Sequence, residues 1–453
     1  MFKTQFVDQF TQILTPEDCL QLAKRHGWYQ RAGKIHPAEF LLGQVSGQLS
    51  ALHPALSAQS QGYQNPVTRQ AVDKRYQTPA VRYFEAAFET VLARSLAQKV
   101  NPSPTASVHA HFAAVRLFDS THFGCAAALA DAFPGCGGVG SPAGIKVLLS
   151  YEYLQSHFRP LAVLPGKRSD QGLAGEVAAQ VGRDELGLFD KGFYDGAALR
   201  GIQERGGFFV IPWPHGVSVW EAGPQGEPVA LALASRLRHH VGEHLALADV
   251  RLGQGASALR GMRLVAYRLG EESTNRRRAA LREKCRTHGR TPSAEALELA
   301  GWVILVTNVQ AEKLPVRALG YLYRVRWQIE LIFKQLKSIL RLDDVPTAKE
   351  HRQRCQVWAR LLGGVLLFSW HRYTNAACSA AHRCEISFAK LARRLAQEGL
   401  ELARALFTGG SRLHRVLGHL WDQVLKSARK GHQKSRKTTW QNLCEQWLEV
   451  VIP

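Results

Sequence analysis

The stretch that decides the fold is Tyr323–Lys337, which reads Tyr-Arg-Val-Arg-Trp-Gln-Ile-Glu-Leu-Ile-Phe-Lys-Gln-Leu-Lys. Its pattern predicts part of one long helix over about 317–342. Each helical residue advances by about 100°, so residues three and four apart share a face. One such face carries a single carboxylate among cations and aromatic rings, and its members are Tyr323, Arg326, Trp327, Glu330, Lys334 and Lys337.

The residues on this face favour a role in binding or catalysis over that of an ordinary amphipathic helix. An ordinary amphipathic helix also separates polar from apolar residues, so separation alone does not decide between the two. Such a helix less often places Tyr323 and Trp327 among charges. Glu330 among Arg and Lys would weaken phosphate binding unless it held a metal ion. We therefore interpret the face as a phosphate-binding surface with one metal-ligating carboxylate.

Two aspartates upstream follow apolar runs that read as strands. Asp119 follows Ala113–Phe118, and Asp190 follows Leu186–Phe189. An aspartate at the end of a strand is commonly a turn former or a helix cap, so neither is specific by itself. Asp195 is a rival for the second position, but it lies past the strand, where capping is its natural role.

The stretch Tyr323–Lys337 resembles the tyrosine–arginine–glutamate–lysine (YREK) signature of DDE transposases from bacterial insertion sequences. Its Tyr, Arg, Glu and Lys are separated by two, three and six residues, within a matching local sequence. Asp119-Ser-Thr and Asp190-Lys-Gly-Phe are similar to the family's two aspartate motifs. The resemblance covers roughly residues 105–345.

The resemblance implies an α/β fold with an RNase H-like core, in which helices flank a mixed sheet. It also implies a β-rich insertion and helical regions at both ends of the chain. The predicted regions are 1–104 (helical, DNA-end recognition), 105–212 (first part of the core), 213–300 (β-rich insertion), 301–375 (second part of the core, with the signature helix) and 376–453 (helical and basic, for dimerisation or DNA contact).

The resemblance assigns catalysis and metal binding to Asp119, Asp190 and Glu330. Phosphodiester cleavage by water needs an activated nucleophile and stabilised attacking and leaving oxygens. Two metal ions ~3.5–4 Å apart can supply both. Carboxylate oxygens suit Mg²⁺, for which Mn²⁺ can substitute, so we expect two Mg²⁺ ions.

The resemblance further assigns DNA contacts to aromatic and basic side chains. Relatives with this signature cut through a DNA hairpin, and an aromatic residue from the insertion stacks on a flipped base. Trp302 is the candidate for this role, with a tryptophan of a strand core as the open alternative; Trp327 could instead pack against the core. The predicted DNA-binding residues are Tyr323, Arg326, Trp327, Lys334, Lys337 and Trp302.

Charge and composition favour the same class of partner. The 453 residues contain 58 Lys and Arg against 37 Asp and Glu, a net charge of +21, which indicates a polyanionic partner such as nucleic acid. No apolar run approaches the ~20 residues of a membrane span, and the first residues lack a secretion signal. We expect a cytoplasmic, nucleoid-associated prokaryotic protein whose eight scattered cysteines are free thiols.

Other patterns leave more than one interpretation. Two helices predicted over 67–76 and 81–96 could form a DNA-binding unit or an ordinary helical hairpin. The segment Lys426–Lys437 contains six basic residues and could contact phosphate or be a solvated loop. His240 and His244 are four apart, a spacing that suits one helical face.

The sequence thus predicts a cut-and-paste transposase that cleaves the ends of its element and joins them to target DNA. Its expected partners are double-stranded DNA, in the form of terminal inverted repeats and target, and a second copy of the chain. Two alternatives stay open. One is a catalytically inactive, sequence-specific DNA-binding protein, and the other is a structure-specific nuclease on the same core.

Overall fold

The structure, a computed structural model, describes residues 2–49, 63, 65–98, 111–137, 141–382 and 385–430. Residues 101–105, whose Asn-Pro-Ser-Pro-Thr sequence predicts a linker, and the part of the basic segment Lys426–Lys437 that follows Lys430 lie outside these ranges. The described α-helices are α1 Phe2–Thr11, α2 Pro16–Arg25, α3 Pro37–Leu49, α4 Arg69–Asp73, α5 Thr78–Ala97, α6 Ala174–Ala178, α7 Gly196–Glu204, α8 Leu233–Arg238, α9 Glu271–Thr287, α10 Ala294–Leu299, α11 Val316–Val325, α12 Trp327–Ser338, α13 Glu350–His382, α14 Phe388–Gln397, α15 Gly399–Thr408 and α16 Gly410–Ser427. The described strands are β1 Ala114–Gly124, β2 Gly144–Glu152, β3 His157–Pro165, β4 Glu185–Leu188, β5 Phe208–Pro212, β6 Val219–Ala222, β7 Pro228–Ala230, β8 His244–Leu252, β9 Leu259–Arg268 and β10 Trp302–Thr307.

The chain divides into two compact units. Unit 1 contains Met1–Pro104, Ser120–Lys167 and Ile329–Ser435, and unit 2 contains Thr105–Asp119, Arg168–Gln328 and Arg436–Pro453. Strand β1 and helix α12 each continue from one unit into the other. The region boundaries expected from the sequence remain predictions.

Unit 1 is built around the 33-residue helix α13, which packs against α3 and α5. Its core is rich in aromatic rings: the ring of Phe6 lies 4.9 Å from those of both Trp370 and Trp421. Strands β2 and β3 form an antiparallel hairpin, as the two closely joined apolar runs Ile145–Tyr151 and Pro160–Leu164 predict. The sequence Thr15-Pro-Glu-Asp predicts the start of a helix, and this is confirmed, because Thr15 and Asp18 form a capping box at the first turn of α2.

Unit 2 holds most of a mixed sheet, in the order β1-β4-β5-β10-β9-β8-β6-β7. Strands β1, β4 and β5 are parallel, and β10 joins β5 in the antiparallel sense. The strands of the predicted insertion, β6 to β9, extend the same sheet beyond β10. This mixed sheet, flanked by helices, is the predicted fold class.

Strand β1 is longer than the sequence indicates. The apolar run ends at Phe118, yet the strand continues to Gly124, so Asp119 lies within β1 and not at its end. The expectation of a strand-end aspartate is therefore wrong for Asp119. The polar residues after it still form strand, because backbone pairing does not require apolar side chains.

The signature helix is not a single long helix. It is divided into α11 and α12 at Arg326, whose backbone N–H donates to Tyr323 O at 3.1 Å, three residues back. Arg326 keeps right-handed helical dihedral angles, with φ −49° and ψ −34°, so the chain tightens here without turning away.

Two smaller expectations are also wrong. His244 begins strand β8, and His240 Nε2 donates a hydrogen bond to His244 O at 2.8 Å, so the two histidines do not share a helical face. Cys378 is disulfide-bonded, contrary to the expectation of a free thiol. The free cysteines in the described part of the chain are Cys19, Cys125, Cys136, Cys285 and Cys355.

Candidate active site

The register of β1 on β4 places the two aspartates of unit 2 at the same level of the sheet. Leu117 pairs with Leu188 in the parallel ladder, and each aspartate lies two residues further along its chain. The intervening rings of Phe118 and Phe189 stack with centroids 5.1 Å apart and planes 9° from parallel. Both rings are buried, so this contact fixes the backbone from which both carboxylates project.

Arg326 joins the two aspartates. Its Nη1 lies 3.8 Å from Asp119 Oδ2, and its Nη2 lies 3.8 Å from Asp190 Oδ1. The side chains of Arg326 and Asp119 are 15% and 19% exposed, whereas that of Asp190 is 44% exposed. Asp119, on β1, is therefore largely screened from water, whereas Asp190, which follows β4, is open to it.

Tyr323 supports this arrangement from α11. Its hydroxyl donates to Phe189 O at 3.3 Å, and the Arg326 guanidinium lies 5.8 Å from the centre of its ring. Burial raises the pKa of Tyr323, with Asp190 adding to the effect and Arg326 opposing it. The phenol therefore stays protonated as a hydrogen-bond donor near neutral pH.

The remaining charged residues of the signature lie on α12, in unit 1. Glu330 and Lys334 are exposed and are one helical turn apart. Lys337 lies a further three residues along, and its Nζ donates to His122 O, a carbonyl of β1, at 3.2 Å. This bond ties the last turn of α12 to the second half of β1 within unit 1.

The two tryptophans differ in exposure. Trp327 is 55% exposed, one of the few large apolar side chains exposed in the described ranges. Trp302 is 3% exposed at the start of β10, with the Arg268 guanidinium 4.4 Å from its ring centre. In this conformation Trp302 is a tryptophan of a strand core, the alternative that the sequence left open. Stacking on a base would require its ring to become exposed.

The sequence matches the family described as a transposase DDE domain over residues 110–363, which is more than half of the chain. The chain belongs to the DDE transposase family. It is 26% identical over 453 residues to the transposase for insertion sequence element IS231B of Bacillus thuringiensis subsp. berliner, an alignment that covers 96% of this chain and 93% of that protein. It is 25% identical over 438 residues to the transposase for IS1151 of Clostridium perfringens, covering 93% and 92%.

Among solved structures, this transposase is similar to the piggyBac transposase synaptic complex with hairpin DNA, at TM-score 0.45 and 12% identity. That similarity covers 96% of this chain and 86% of the piggyBac chain. Family membership makes the chain an enzyme that acts on DNA and depends on divalent metal ions. In the described part of the chain, no helix is both long enough and apolar enough to cross a membrane.

In the transposase, the carboxylates of Asp195 and Asp190 have different partners. Asp195 is the N-cap of α7 and accepts from Ala198 N at 2.8 Å, the role expected from its position. Asp190 also accepts a local hydrogen bond, from Gly192 N at 3.3 Å, but its other carboxylate oxygen faces Arg326. Asp190 therefore has an oxygen directed at a cation, and Asp195 is engaged in its own helix.

The donor set fits a hard divalent ion, although no complete cluster is formed. Among the described residues, no three His, Cys, Asp or Glu side chains are gathered closely enough to hold a metal. Asp119 and Asp190 nevertheless converge on one positive group, with one oxygen each within 4 Å of it. Oxygen ligands of this kind suit Mg²⁺ and Mn²⁺.

Sequence reasoning assigned Arg326 to phosphate and missed its contact with both aspartates. The spacing along the helix cannot report it, since the aspartates lie more than 130 residues upstream.

Proposed function

We propose that the chain is a cut-and-paste transposase of an insertion sequence, cleaving the phosphodiester bonds at the element's ends and joining those ends to target DNA. The observation that carries the proposal is the aspartate pair at one level of β1 and β4, directed at the cation of the signature residue Arg326. Carboxylates so arranged are suited to metal-assisted phosphoryl transfer, as the family's chemistry requires.

The proposed metal ligands are Asp119, Asp190 and Glu330, holding two Mg²⁺ ions, with Mn²⁺ as a substitute. When bound, the ions activate the attacking oxygen and stabilise the leaving one. Arg326 then contacts the phosphate beside the cleaved bond, since a guanidinium offers paired donors to phosphate oxygens. The Tyr323 hydroxyl donates a hydrogen bond to Phe189 O and so positions the backbone immediately before Asp190.

Two lysines and a tryptophan of the signature complete the proposed DNA contacts. Lys334 and Lys337 act as point charges toward the same strand. Trp327, half exposed, offers the ring on which a flipped base would stack. Trp302 keeps this proposed role only if the DNA complex exposes its ring.

We also propose terminal inverted repeats and target DNA as substrates, and a homodimer in the DNA complex, because two element ends must be joined together. The N-terminal helices are proposed to recognise the ends. There α4 and α5 meet across Thr78-Pro79, and Arg75 lies 5.3 Å from the ring centre of Trp28. The C-terminal helices are proposed for dimerisation.

The test uses a plasmid that carries the gene with its own flanking DNA. Purified wild type and Asp190→Asn are incubated with Mg²⁺ or Mn²⁺, and breaks are mapped at nucleotide resolution. Asp195→Asn is the matched control, because asparagine also caps helices and the residue lies five positions away. Double-strand breaks at both flanks with wild type and the control, but not with Asp190→Asn, are expected.

Other outcomes separate the alternatives. Wild-type cleavage by Asp190→Asn would overturn the site assignment. DNA binding without cleavage in wild type would favour an inactive DNA-binding protein. Cleavage of branched DNA with no joined products would favour a structure-specific nuclease.

A further inference from the structure

Helix α9 of unit 2 is basic, and none of its 17 residues is buried. Its six cations outnumber its three acids, and they are Arg276, Arg277, Arg278, Arg282, Lys284 and Arg286. At 1.5 Å per residue the helix is about 25 Å long. Packing against a core does not account for an exposed helix of this length and charge.

The cations of α9 are distributed around its outward side. The half-buried residues share the inward side at helical spacing, and they are Thr274, Arg278, Leu281 and Cys285. Arg276 lies at the middle of the opposite side, and the small side chains of Ala279 and Ala280 lie next to it. Two exposed cations lie on each flank, about 80–120° from Arg276 around the helix axis: Arg282 and Arg286 on one flank, Arg277 and Lys284 on the other.

Two arginines fix the direction of the outward side. Arg277 Nη1 donates to Trp302 O, and Arg278 Nε donates to Leu297 O, each at 2.9 Å. Trp302 begins β10 and Leu297 lies on α10, so backbone carbonyls of two other elements hold α9. The side that carries Arg276 is therefore held away from both elements.

The acids of the outward side are paired within α9 itself. Glu272 Oε1 lies 3.7 Å from Arg276 Nη2, and Glu283 Oε1 lies 2.9 Å from Arg286 Nη2. All four side chains are more than half exposed, and exposed pairs of this kind contribute little to stability. The two carboxylates are thus compensated in the free protein, and their arginines can exchange them for another anion at low cost.

We propose that α9 lies in the major groove of the element's terminal repeat, with its two flanks on the phosphates of the two strands and Arg276 directed at the base edges. The major groove is about 12 Å wide and admits one α-helix. Cations on both flanks face the phosphates on either side of the groove, and the alanines beside Arg276 let the helix approach its floor. The Arg276 guanidinium can then pair with O6 and N7 of a guanine.

The terminal repeat is the partner because a base contact is useful only on a fixed sequence, and target DNA varies from one insertion to the next. The inference rests on the proposed function, which supplies the terminal repeat as substrate. It adds a specific surface in the predicted β-rich insertion, separate from the aspartates and from the signature helix.

The test measures binding of the full chain, in EDTA, to a duplex with the terminal repeat and to a scrambled duplex of the same composition. The flank variant is Arg282→Gln with Lys284→Gln, which removes one cation from each flank. Its matched control is Arg183→Gln with Arg260→Gln, two exposed cations of unit 2 outside α9 that change the net charge equally. The base-contact variant is Arg276→Ala. Thermal denaturation of all four proteins checks that the fold is unchanged.

The flank variant should bind both duplexes more weakly, and its slope of log affinity against log salt should fall by about 2, because two phosphate contacts are lost. The control should keep the wild-type slope. Arg276→Ala should lose roughly 5- to 150-fold in affinity for the terminal repeat, the range for one bidentate base contact, and little for the scrambled duplex.

Two outcomes would overturn the α9 surface while wild-type cleavage at the element's ends left the proposed function standing. One is a flank variant with the wild-type slope, or with the same change as its control. The other is Arg276→Ala with an undiminished preference for the terminal repeat, which would place no base contact on α9. Failure of wild type to bind and cleave the ends would instead overturn the proposed function itself.

Discussion

At the scale of single residues, Arg326 offsets the charge repulsion between Asp119 and Asp190 in the protein without metal. One guanidinium faces two carboxylates, and two of the three side chains are mostly buried. Two carboxylates at the same level of adjacent strands would otherwise repel each other. The signature arginine thus has a structural role before DNA arrives, in addition to its proposed contact with phosphate.

Replacing Arg326 with glutamine should therefore lower the free energy of unfolding of the metal-free protein by about 1–3 kcal/mol, the cost of removing a partner from part-buried polar groups. Added Mn²⁺ should recover part of that loss, because a cation again lies between Asp119 and Asp190. Denaturant titration with and without Mn²⁺ measures both effects. Equal stability of wild type and variant without metal would show that the guanidinium does not hold the pair.

The two tryptophans should separate folding from DNA contact. Trp302→Ala removes a buried ring and should cost about 3–5 kcal/mol of unfolding free energy. Trp327→Ala, at a half-exposed position, should change stability by roughly 0.5 kcal/mol or less. Its loss of stacking should nevertheless weaken binding of DNA with an unpaired end base by ~1–3 kcal/mol, roughly fivefold to more than a hundredfold.

Calorimetric melting of both variants, with binding assays on the same preparations, decides between the two assignments. If Trp302→Ala folds normally and loses DNA binding, the stacking role moves from Trp327 to Trp302. Unchanged DNA binding by Trp327→Ala would show that the exposed ring of Trp327 does not contribute to DNA contact.

At the scale of elements, the sequence predicted structure best where composition and periodicity agree. The strand over Leu186–Phe189 (β4), the hairpin of β2 and β3 and the helix start at Thr15 were all anticipated. Strand β8 was not, because its first residue, His244, lies four residues after His240, a spacing that suits a helical face. Local spacing indicated a helix there, and pairing with β9 decided otherwise.

The same limit applies to the candidate site: the sequence contains its local motifs but not the contacts between elements that lie far apart along the chain. The family resemblance assigned both aspartates and Glu330 to the site, and that assignment remains a prediction; the spacing within the signature segment is a local property that the sequence contains. The contact of Arg326 with the aspartates depends on strand register, which sequence spacing does not contain.

The chain after α12 is held by a buried arginine on α13. Arg360 is 1% exposed, and its guanidinium donates to Arg341 O at 2.9 Å and to Asp344 O at 2.8 Å. Arg341 has a positive φ of 51°, a conformation that non-glycine residues adopt rarely. The guanidinium therefore stabilises a strained turn directly behind the helix that carries Glu330.

Replacing Arg360 with methionine should leave these two carbonyls without donors and lower the free energy of unfolding by about 2–4 kcal/mol. The matched control is Arg354→Met, on the same helix, where the part-buried pair with Glu350 and the position of the guanidinium 4.5 Å from the ring centre of Phe133 should together contribute less than about 1.5 kcal/mol. Chemical denaturation of both variants tests the prediction. Comparable losses in the two would mean that the turn is stabilised by packing and not by the Arg360 bonds.

At the scale of the whole molecule, the excess of 21 positive charges makes DNA affinity a distributed property. Binding of this kind is dominated by phosphate contacts and counterion release, and it does not depend on a few carboxylates. Cleavage, in contrast, is proposed to depend on three residues. The two activities should therefore be separable by mutations that change the net charge only slightly.

A triple variant, Asp119→Asn, Asp190→Asn and Glu330→Gln, raises the net charge from +21 to +24 and should abolish cleavage. In EDTA it should bind a duplex as tightly as wild type or more tightly, because three negative charges near the DNA have been removed. The slope of log affinity against log salt should stay the same, since no cation is lost. Fluorescence anisotropy over a range of salt concentrations measures both quantities. If the triple variant bound markedly more weakly, with its fold intact, the carboxylates would be organising the DNA-binding surface itself, and the separation of binding from catalysis would fail.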